Sequence, residues 1–133
     1  MSDCLFCKIV AGEIPSKKVY EDEDIYVFLD IFPANPGHSL VIPKQHVADI
    51  FESSSEIYAK VASGAKKIAD LLSNRLGCDG VTILQANREA GWQTVFHLHM
   101  HVIPRYTNDT LHKPWDIAPA NDEDLVQILG RLS

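Results

Sequence analysis

The chain has 133 residues, of which 46% are hydrophobic and 23% are charged, and its formal net charge is −6. This length suits one domain with an ordinary core, and the composition excludes a fibrous or wholly disordered chain. The acidic excess argues against a polymeric nucleic acid as partner, because such binding needs a basic surface. The unusual feature is a set of six histidines in so short a chain.

In chain order, the first predicted element is a short helix over residues 5–11 that ends at Gly12. Residues 17–20 and 25–30 are rich in β-branched and aromatic side chains and are separated by the acidic turn EDED. This pattern predicts a hairpin. The proline- and glycine-rich loop IFPANPG follows, and HSLVIP after it is predicted to be a third strand.

The clearest helix is predicted over residues 54–76. Its apolar residues recur every three or four positions, which places them on one helical face. Ser53 and Glu56 have the spacing of a capping box, and Gly77 is well placed to end the helix.

The second half of the chain alternates strands with loops. VTILQA is predicted to be a buried strand, TVFHLHMHVI (94–103) a long strand ended by Pro104, and Asn121 the N-cap of a final helix. Hairpins combined with one long crossing helix indicate an α+β fold with a mainly antiparallel sheet of about five strands.

Two features of composition indicate the cellular setting. The N-terminal MSDCLFCKIV lacks a basic start and a long apolar run, and no segment approaches the roughly 20 apolar residues of a membrane span. We therefore expect a cytoplasmic protein with no membrane partner. Three cysteines argue against a disulfide framework. Cys4 and Cys7 form a C-x-x-C pair, and Cys78 is expected to be an apolar filler.

The candidate functional residues are His97, His99 and His101, which alternate with Leu98 and Met100. Residues two apart diverge on a helix but share a face on a strand, where they lie about 6.6 Å apart. A strand would therefore present a row of imidazoles, whereas a merely solvated face would carry mixed polar residues. Two chemistries fit this row: His-x-His ligation of zinc, or nucleophilic attack by one imidazole whose neighbours hold its tautomer.

The run resembles the signature of the histidine triad (HIT) family of nucleotide hydrolases and transferases. The resemblance also covers the C-x-x-C pair, FLDI, GHSLVIPKQH and N-x5-QTVFHLHMHVIPR, and so extends from Cys4 to Arg105. It implies a HIT-like fold in a single domain over residues 1–133, with a core at about 4–105 and a C-terminal extension over 106–133. It also implies a homodimer.

The resemblance implies a role for four histidines. His99 matches the nucleophile that attacks the α-phosphate of a nucleotide and forms a covalent nucleotidyl-histidine. His101 matches the position that hydrogen-bonds the phosphate or the leaving group. His97 and His38 match supporting positions beside these two.

The resemblance also implies a binding site for a purine nucleotide substrate with an AMP moiety. Asp30 matches the ribose clamp, where one carboxylate accepts hydrogen bonds from two hydroxyls. Simple core packing is an equal alternative for any one of the apolar residues. The implied set, besides Asp30, His99 and His101, is Leu5, Phe6, Ile9, Phe28 and Ile31 around the base and Asn87, Gln93, Thr94 and Val95 near the phosphate.

One branch of the HIT family carries a structural zinc, and its four ligand positions match Cys4, Cys7, His46 and His97. Two thiolates and two imidazoles make a closed tetrahedral site, which is typical of structural zinc. The alternatives are a redox C-x-x-C motif, for which no thioredoxin-like unit is visible, and packed thiols without metal. No organic cofactor is implied.

The expected activity is hydrolysis of nucleoside 5′-phosphoramidates or related nucleotidyl conjugates. Alternatives are a dinucleoside polyphosphate hydrolase or nucleotidyltransferase with the same nucleophile, a nucleotide-binding regulatory module, and a metalloenzyme whose ion is held by the three triad histidines. Trp92 stands where most family members have glycine, and so bulky a residue is expected to narrow the pocket or alter the phosphate loop. Trp115 is interpreted either as a packing residue or as a leaving-group contact.

Overall fold

The computed structural model describes residues 3–133 and contains one five-stranded sheet flanked by helices. The strands are β1 (Lys18–Glu21), β2 (Ile25–Leu29), β3 (Ser39–Pro43), β4 (Gly80–Gln85) and β5 (Met100–Arg105). The helices are α1 (Leu5–Val10), α2 (Ser55–Leu76) and α3 (Asp122–Leu132), with a 3₁₀ turn at Glu89–Gly91. Neighbouring strands are antiparallel in the order β1-β2-β3-β5-β4, which confirms the predicted α+β class.

The long helix α2 covers one face of the sheet. Its buried residues include Val61, Ile68 and Leu72, and they pack against β2, β3 and β5. Gly77 ends the helix with a φ of 63°, as predicted. The predicted capping box is wrong by one residue, because the Ser54 hydroxyl is the group that accepts from the helix, at 3.1 Å from the Ile57 nitrogen.

A second apolar cluster lies on the other face of the sheet, beneath α1. Phe6 and Ile9 of α1 pack there on Phe28, Leu40 and Ile42. Strand β3 is buried on both faces, since Val41 points into the α2 side while Leu40 and Ile42 point into the α1 side. The histidines of the triad lie at the edge of this second cluster.

Two strand predictions are wrong. Strand β4 is half exposed rather than buried, because it lies at the sheet edge with only β5 as a neighbour. Strand β5 begins at Met100, and residues 94–99 have no regular strand structure, although Leu98 remains fully buried. Pro104 lies inside β5 instead of ending it. This is tolerated because pairing with β3 stops at Val102, so that only β4 pairs with the strand there.

The remaining elements follow the predictions closely. The first helix and the hairpin lie within a residue or two of their expected bounds, and Cys78 is half-buried against the α2 cluster. Asn121 caps α3 by accepting from the Asp124 nitrogen at 2.9 Å, but the apolar residues of α3 stay exposed. No helix among the described residues is long and apolar enough to cross a membrane.

Candidate active site and metal centre

The nucleophile candidate His99 has its tautomer set by the backbone. The residue is only 4% exposed, and its Nδ1 lies 2.7 Å from the carbonyl oxygen of His97. A carbonyl can only accept, so the ring proton is on Nδ1 and Nε2 keeps its lone pair. His99 is therefore held in the form that can attack an electrophile.

His101 is held in the opposite tautomer by a chain of two hydrogen bonds. The backbone N–H of Ala34 donates to His38 Nδ1 at 2.9 Å, which leaves the proton of the His38 ring on Nε2. His38 Nε2 then donates to His101 Nδ1, also at 2.9 Å. The remaining ring proton of His101 is therefore on Nε2, which makes this side chain a donor next to a nucleophile.

Burial keeps these imidazoles neutral. It lowers the pKa of His99 and of His38, and the opposing charge of Asp30 is a smaller effect in both cases. For His101, burial together with the neighbouring His99 and His38 lowers the pKa to about 4. Near pH 7 the site therefore offers an unprotonated nitrogen on His99 and a hydrogen-bond donor on His101, with ring centroids 4.9 Å apart.

Asp30 lies beside this pair at the end of β2. Its Oδ1 accepts from the Phe32 backbone at 2.8 Å, and its Oδ2 lies 3.5 Å from His38 Nε2. Asp30, His38 and His101 bring ligand atoms within 4.8 Å of one another. The Ala34 N–H already uses the lone pair of His38 Nδ1, and His38 Nε2 donates to His101. These hydrogen bonds fix the tautomers of the two rings and leave His38 no free lone pair for a metal.

An apolar cavity of about 390 Å³ opens onto His99 and His101. Its size and lining suit a small organic ligand. Of the predicted nucleotide-binding residues, it brings together Leu5, Phe6, Ile9, Phe28, Asp30, Ile31, Thr94, Val95, His99 and His101.

The sequence reasoning missed further lining residues of this cavity. Leu40 could have been found, because it shares a face of β3 with the buried Ile42. No local signal marks the rest, which come from the turn after α1, the end of β2 and the following loop: Ile14, Pro15, Ser16, Leu29 and Phe32.

Asn87 and Gln93 do not line this cavity. Gln93 is 3% exposed, and its side chain accepts from the Arg88 nitrogen and donates to the Ala48 carbonyl, both at 2.6 Å. The Asn87 side chain accepts from the Ile50 nitrogen at 2.7 Å. Both amides hold the loop that leads to the triad, and the geometry gives no support to direct phosphate contacts by these two side chains.

The second predicted constellation also assembles. Cys4 Sγ lies 3.3 Å from His97 Nδ1, Cys7 Sγ lies 3.4 Å from His46 Nδ1, and the two Nδ1 atoms are 3.2 Å apart. The Pro43 carbonyl accepts from His97 Nε2 at 2.8 Å, which leaves the Nδ1 lone pair free for a metal.

These distances fit a tetrahedral zinc ion. Zn–S and Zn–N bonds of the usual lengths require ligand atoms about 3.3–3.8 Å apart. Burial and the adjacent Cys4 raise the pKa of Cys7 to about 11, so a cation is needed to keep this thiol ionised. Among residues 3–133, the three triad histidines do not form a comparable ligand group. This arrangement disfavours a catalytic ion held by those three.

The fold and site together define a protein with a histidine triad beside an apolar ligand cavity and a separate Cys₂His₂ cluster. The family model described as HIT domain matches residues 11–108. The chain belongs to the HIT family.

Two solved structures and one curated sequence illustrate the similarity to known proteins. A crystal structure of a Streptococcus mutans protein superposes with a TM-score of 0.94 at 44% identity, covering 99% of this chain and 84% of that one. A Zn-bound histidine triad protein from Mycobacterium smegmatis gives a TM-score of 0.81 at 38% identity, covering 98% and 96%. The adenylylsulfatase HINT3 of Arabidopsis thaliana is 39% identical over 83% of this chain and 56% of its own length.

Proposed function

We propose that the protein hydrolyses purine nucleotidyl conjugates, with nucleoside 5′-phosphoramidates as the favoured class, through a covalent nucleotidyl-histidine. The observation that carries this proposal is the opposite tautomers of His99 and His101 in one cleft. The relative named adenylylsulfatase supports a hydrolase that acts on an adenylyl conjugate.

The chemistry of the cavity supports one orientation of the substrate. The base lies among the apolar side chains around Phe6 and Phe28, and the ribose hydroxyls donate to the Asp30 carboxylate. The α-phosphate then lies against His99 and His101, which line the same cavity.

The reaction then proceeds in two displacements. His99 Nε2 attacks the α-phosphorus and the bond from phosphorus to the leaving nitrogen breaks. The leaving nitrogen takes a proton from solvent water, while His101 Nε2 donates a hydrogen bond at the leaving-group side of the phosphate. In the second step, water attacks phosphorus and loses a proton to solvent. The P–N bond to His99 breaks, the nucleoside monophosphate is released, and His99 returns to its starting tautomer.

The test uses adenosine 5′-phosphoramidate with the native protein and His99→Ala. We expect AMP release and, in rapid quench with labelled substrate, an acid-labile nucleotidyl-protein, both lost in His99→Ala. His112→Ala, an exposed histidine outside the site, is the matched control. Unchanged turnover in His99→Ala would refute the nucleophile, and AMP binding without any turnover would instead support a regulatory module.

A dinucleoside polyphosphate hydrolase or a nucleotidyltransferase would use the same nucleophile. Faster AMP release from diadenosine polyphosphates than from the phosphoramidate would identify the first alternative. Transfer of labelled AMP to an added acceptor, in place of water, identifies the second.

We propose that Cys4, Cys7, His46 and His97 hold a structural zinc ion, as the distances between their ligand atoms and the Zn-bound relative support. When bound, zinc supplies four bonds that tie α1 to the segment before β5. It thereby fixes His97, whose carbonyl accepts from His99. Metal analysis should find about one zinc per chain in the native protein and in Cys78→Ser, and a large loss in Cys7→Ser. Equal zinc in all three would contradict the assignment.

We further propose a single domain over residues 1–133 that forms a homodimer. The exposed apolar side chains of α3 support a self-association surface, since Leu125, Leu129 and Leu132 are each more than half exposed. Sedimentation equilibrium should give twice the chain mass, and Leu129→Glu should shift the protein toward the monomer. A monomeric native protein would refute this part.

A further inference from the structure

The C-x-x-C pair encloses two residues of the apolar cavity of about 390 Å³ beside His99, which we call the nucleoside cavity. Leu5 and Phe6 line this cavity and stand between Cys4 and Cys7 in the chain. Cys4 is the N-cap of α1, and its Sγ accepts from the Cys7 nitrogen at 3.4 Å. A chemical change at the two thiols therefore acts directly on one wall of the nucleoside cavity.

Phe6 connects the Cys₂His₂ cluster with the nucleophile candidate. Its ring packs edge to face on His97, His99 and Phe28, with centroid distances of 5.9, 5.1 and 5.3 Å. Phe6 is 5% exposed, so its position is set by these neighbours and by the helix that carries it. One side chain thus contacts a proposed zinc ligand, the nucleophile candidate and the wall of the nucleoside cavity.

The two thiols are placed to bond to each other. The four ligand atoms of the cluster lie within 4.8 Å of one another, and C-x-x-C is the spacing of disulfide oxidoreductases. Cys78 does not compete, because it packs against α2 on the opposite face of the sheet from Cys4. Since Cys4 and Cys7 are only partly exposed, a small uncharged oxidant such as hydrogen peroxide reaches them more readily than a protein disulfide does.

We propose that Cys4 and Cys7 form an oxidation site for hydrogen peroxide, at which a disulfide displaces zinc and weakens nucleotide binding through Phe6. One thiolate attacks the peroxide: a sulfur–oxygen bond forms, the oxygen–oxygen bond breaks and hydroxide leaves. The second thiolate attacks this sulfur, the disulfide bond forms and a second hydroxide leaves. The two sulfurs give up two electrons in total, and solvent protonates both hydroxides to water.

The disulfide loosens the attachment of α1. His46 and His97 remain as ligands, and two are too few for a structural zinc site. The start of α1 is then no longer tied to the segment before β5, and Phe6 loses that constraint. The Kd for AMP should rise by about 2- to 13-fold, the range that one aromatic pair contributes. This effect on AMP rests on the proposed function, so the oxidation is measured separately from it.

The oxidation is tested on the native protein and on Cys78→Ser, in which Cys4 and Cys7 are the remaining thiols. Both are treated with equimolar hydrogen peroxide. Trypsin cleaves after Lys8, so one peptide carries both cysteines. We expect this peptide to lose about 2 Da, the mass of two hydrogens, and about one zinc per chain to be released to a colorimetric chelator. Sulfinic acid in place of the disulfide, or zinc retained by the oxidised protein, would overturn the oxidation site.

Calorimetry with AMP tests the coupling to the nucleoside cavity. The oxidised protein should bind AMP about 2- to 13-fold more weakly than the reduced, zinc-containing protein. Dithiothreitol with added zinc should restore the affinity, which would separate the disulfide from oxidation of Met100, because methionine sulfoxide needs its own reductases. Cys7→Ser in the Cys78→Ser background cannot form the disulfide, so peroxide should leave its AMP affinity unchanged.

The outcomes distinguish this inference from the proposed function. Equal AMP affinity before and after disulfide formation, or a loss of affinity that dithiothreitol with zinc does not reverse, would overturn the coupling. Absence of AMP binding by the reduced protein would overturn the proposed function instead, while the peptide mass and the zinc release would still decide the oxidation site.

Discussion

Replacing His38 with alanine tests whether a hydrogen-bond chain sets the tautomer of His101. In the native protein, His101 Nδ1 accepts from His38 Nε2 at 2.9 Å, and His38 is itself fixed by the Ala34 N–H. His38→Ala leaves His101 Nδ1 without this donor. Leaving a buried polar group unpaired costs about 1–3 kcal/mol.

The size of the expected effect on the His101 tautomers follows from this cost of about 1–3 kcal/mol. A bias of 1.36 kcal/mol corresponds to a factor of ten, so the preference of His101 for the Nε2–H tautomer should fall by about 5- to 150-fold. Since only this tautomer donates from Nε2, kcat for AMP release should fall by up to the same factor. His99 should be little affected, because the carbonyl of His97 sets its tautomer separately.

The assay is ¹⁵N NMR of the histidine ring nitrogens, which distinguishes the two neutral tautomers without any substrate. We expect one Nε2–H form for His101 in the native protein and a mixture in His38→Ala. His38→Gln should restore the single form, because its side-chain amide can place an N–H donor near the position of His38 Nε2. A single unchanged tautomer in His38→Ala, or the same mixture of tautomers in the alanine and glutamine variants, would refute the role of this hydrogen-bond chain.

Two further predictions concern stability. Gly37 and Gly12 both have positive φ, but a Cβ on Gly37 would lie 2.6 Å from Leu76 Cδ1, whereas Gly12 faces open space. In urea denaturation, Gly37→Ala should therefore cost about 1 kcal/mol more than Gly12→Ala, because the half-exposed Leu76 side chain can move aside but the Pro104 ring, 3.2 Å from the Cβ, cannot move as easily. Equal costs would contradict the packing. Because the pKa of His101 falls to about 4 in the folded protein, the unfolded chain binds this proton first as the pH is lowered. Tm should therefore be highest above pH 6.5 and fall toward pH 4, and the fall should be weaker in His101→Gln. Parallel profiles of Tm against pH for the two proteins would contradict this linkage.

The row of triad histidines could be predicted because its signal is local. The alternation of His97, His99 and His101 with apolar residues holds even though residues 97–99 are not in a strand, since Leu98 and Met100 still enter the core. Spacing of this kind depends on the pleat of a short segment and not on its partners. The four ligand positions were available only through the family resemblance, and the structure brings them together.

The roles of the loop residues could not be predicted, because they depend on distant backbone. Gln93 is held by the carbonyl of Ala48, and Asn87 by the nitrogen of Ile50, both more than 30 residues away in the chain. Their amides look like ligand-binding groups in the sequence, and only packing shows that the protein itself uses their hydrogen bonds.

The sequence was sufficient for the fold class, the long helix with its glycine end, the imidazole row and the family, because all of these depend on periodicity and motif spacing. Tertiary structure alone decided which nitrogen of each imidazole carries the proton, since the carbonyl of His97 and the N–H of Ala34 make that choice. It likewise decided that Trp92 and Trp115 meet beside His101. Contacts between residues far apart in the chain leave no local pattern, so they appear only once the chain is folded.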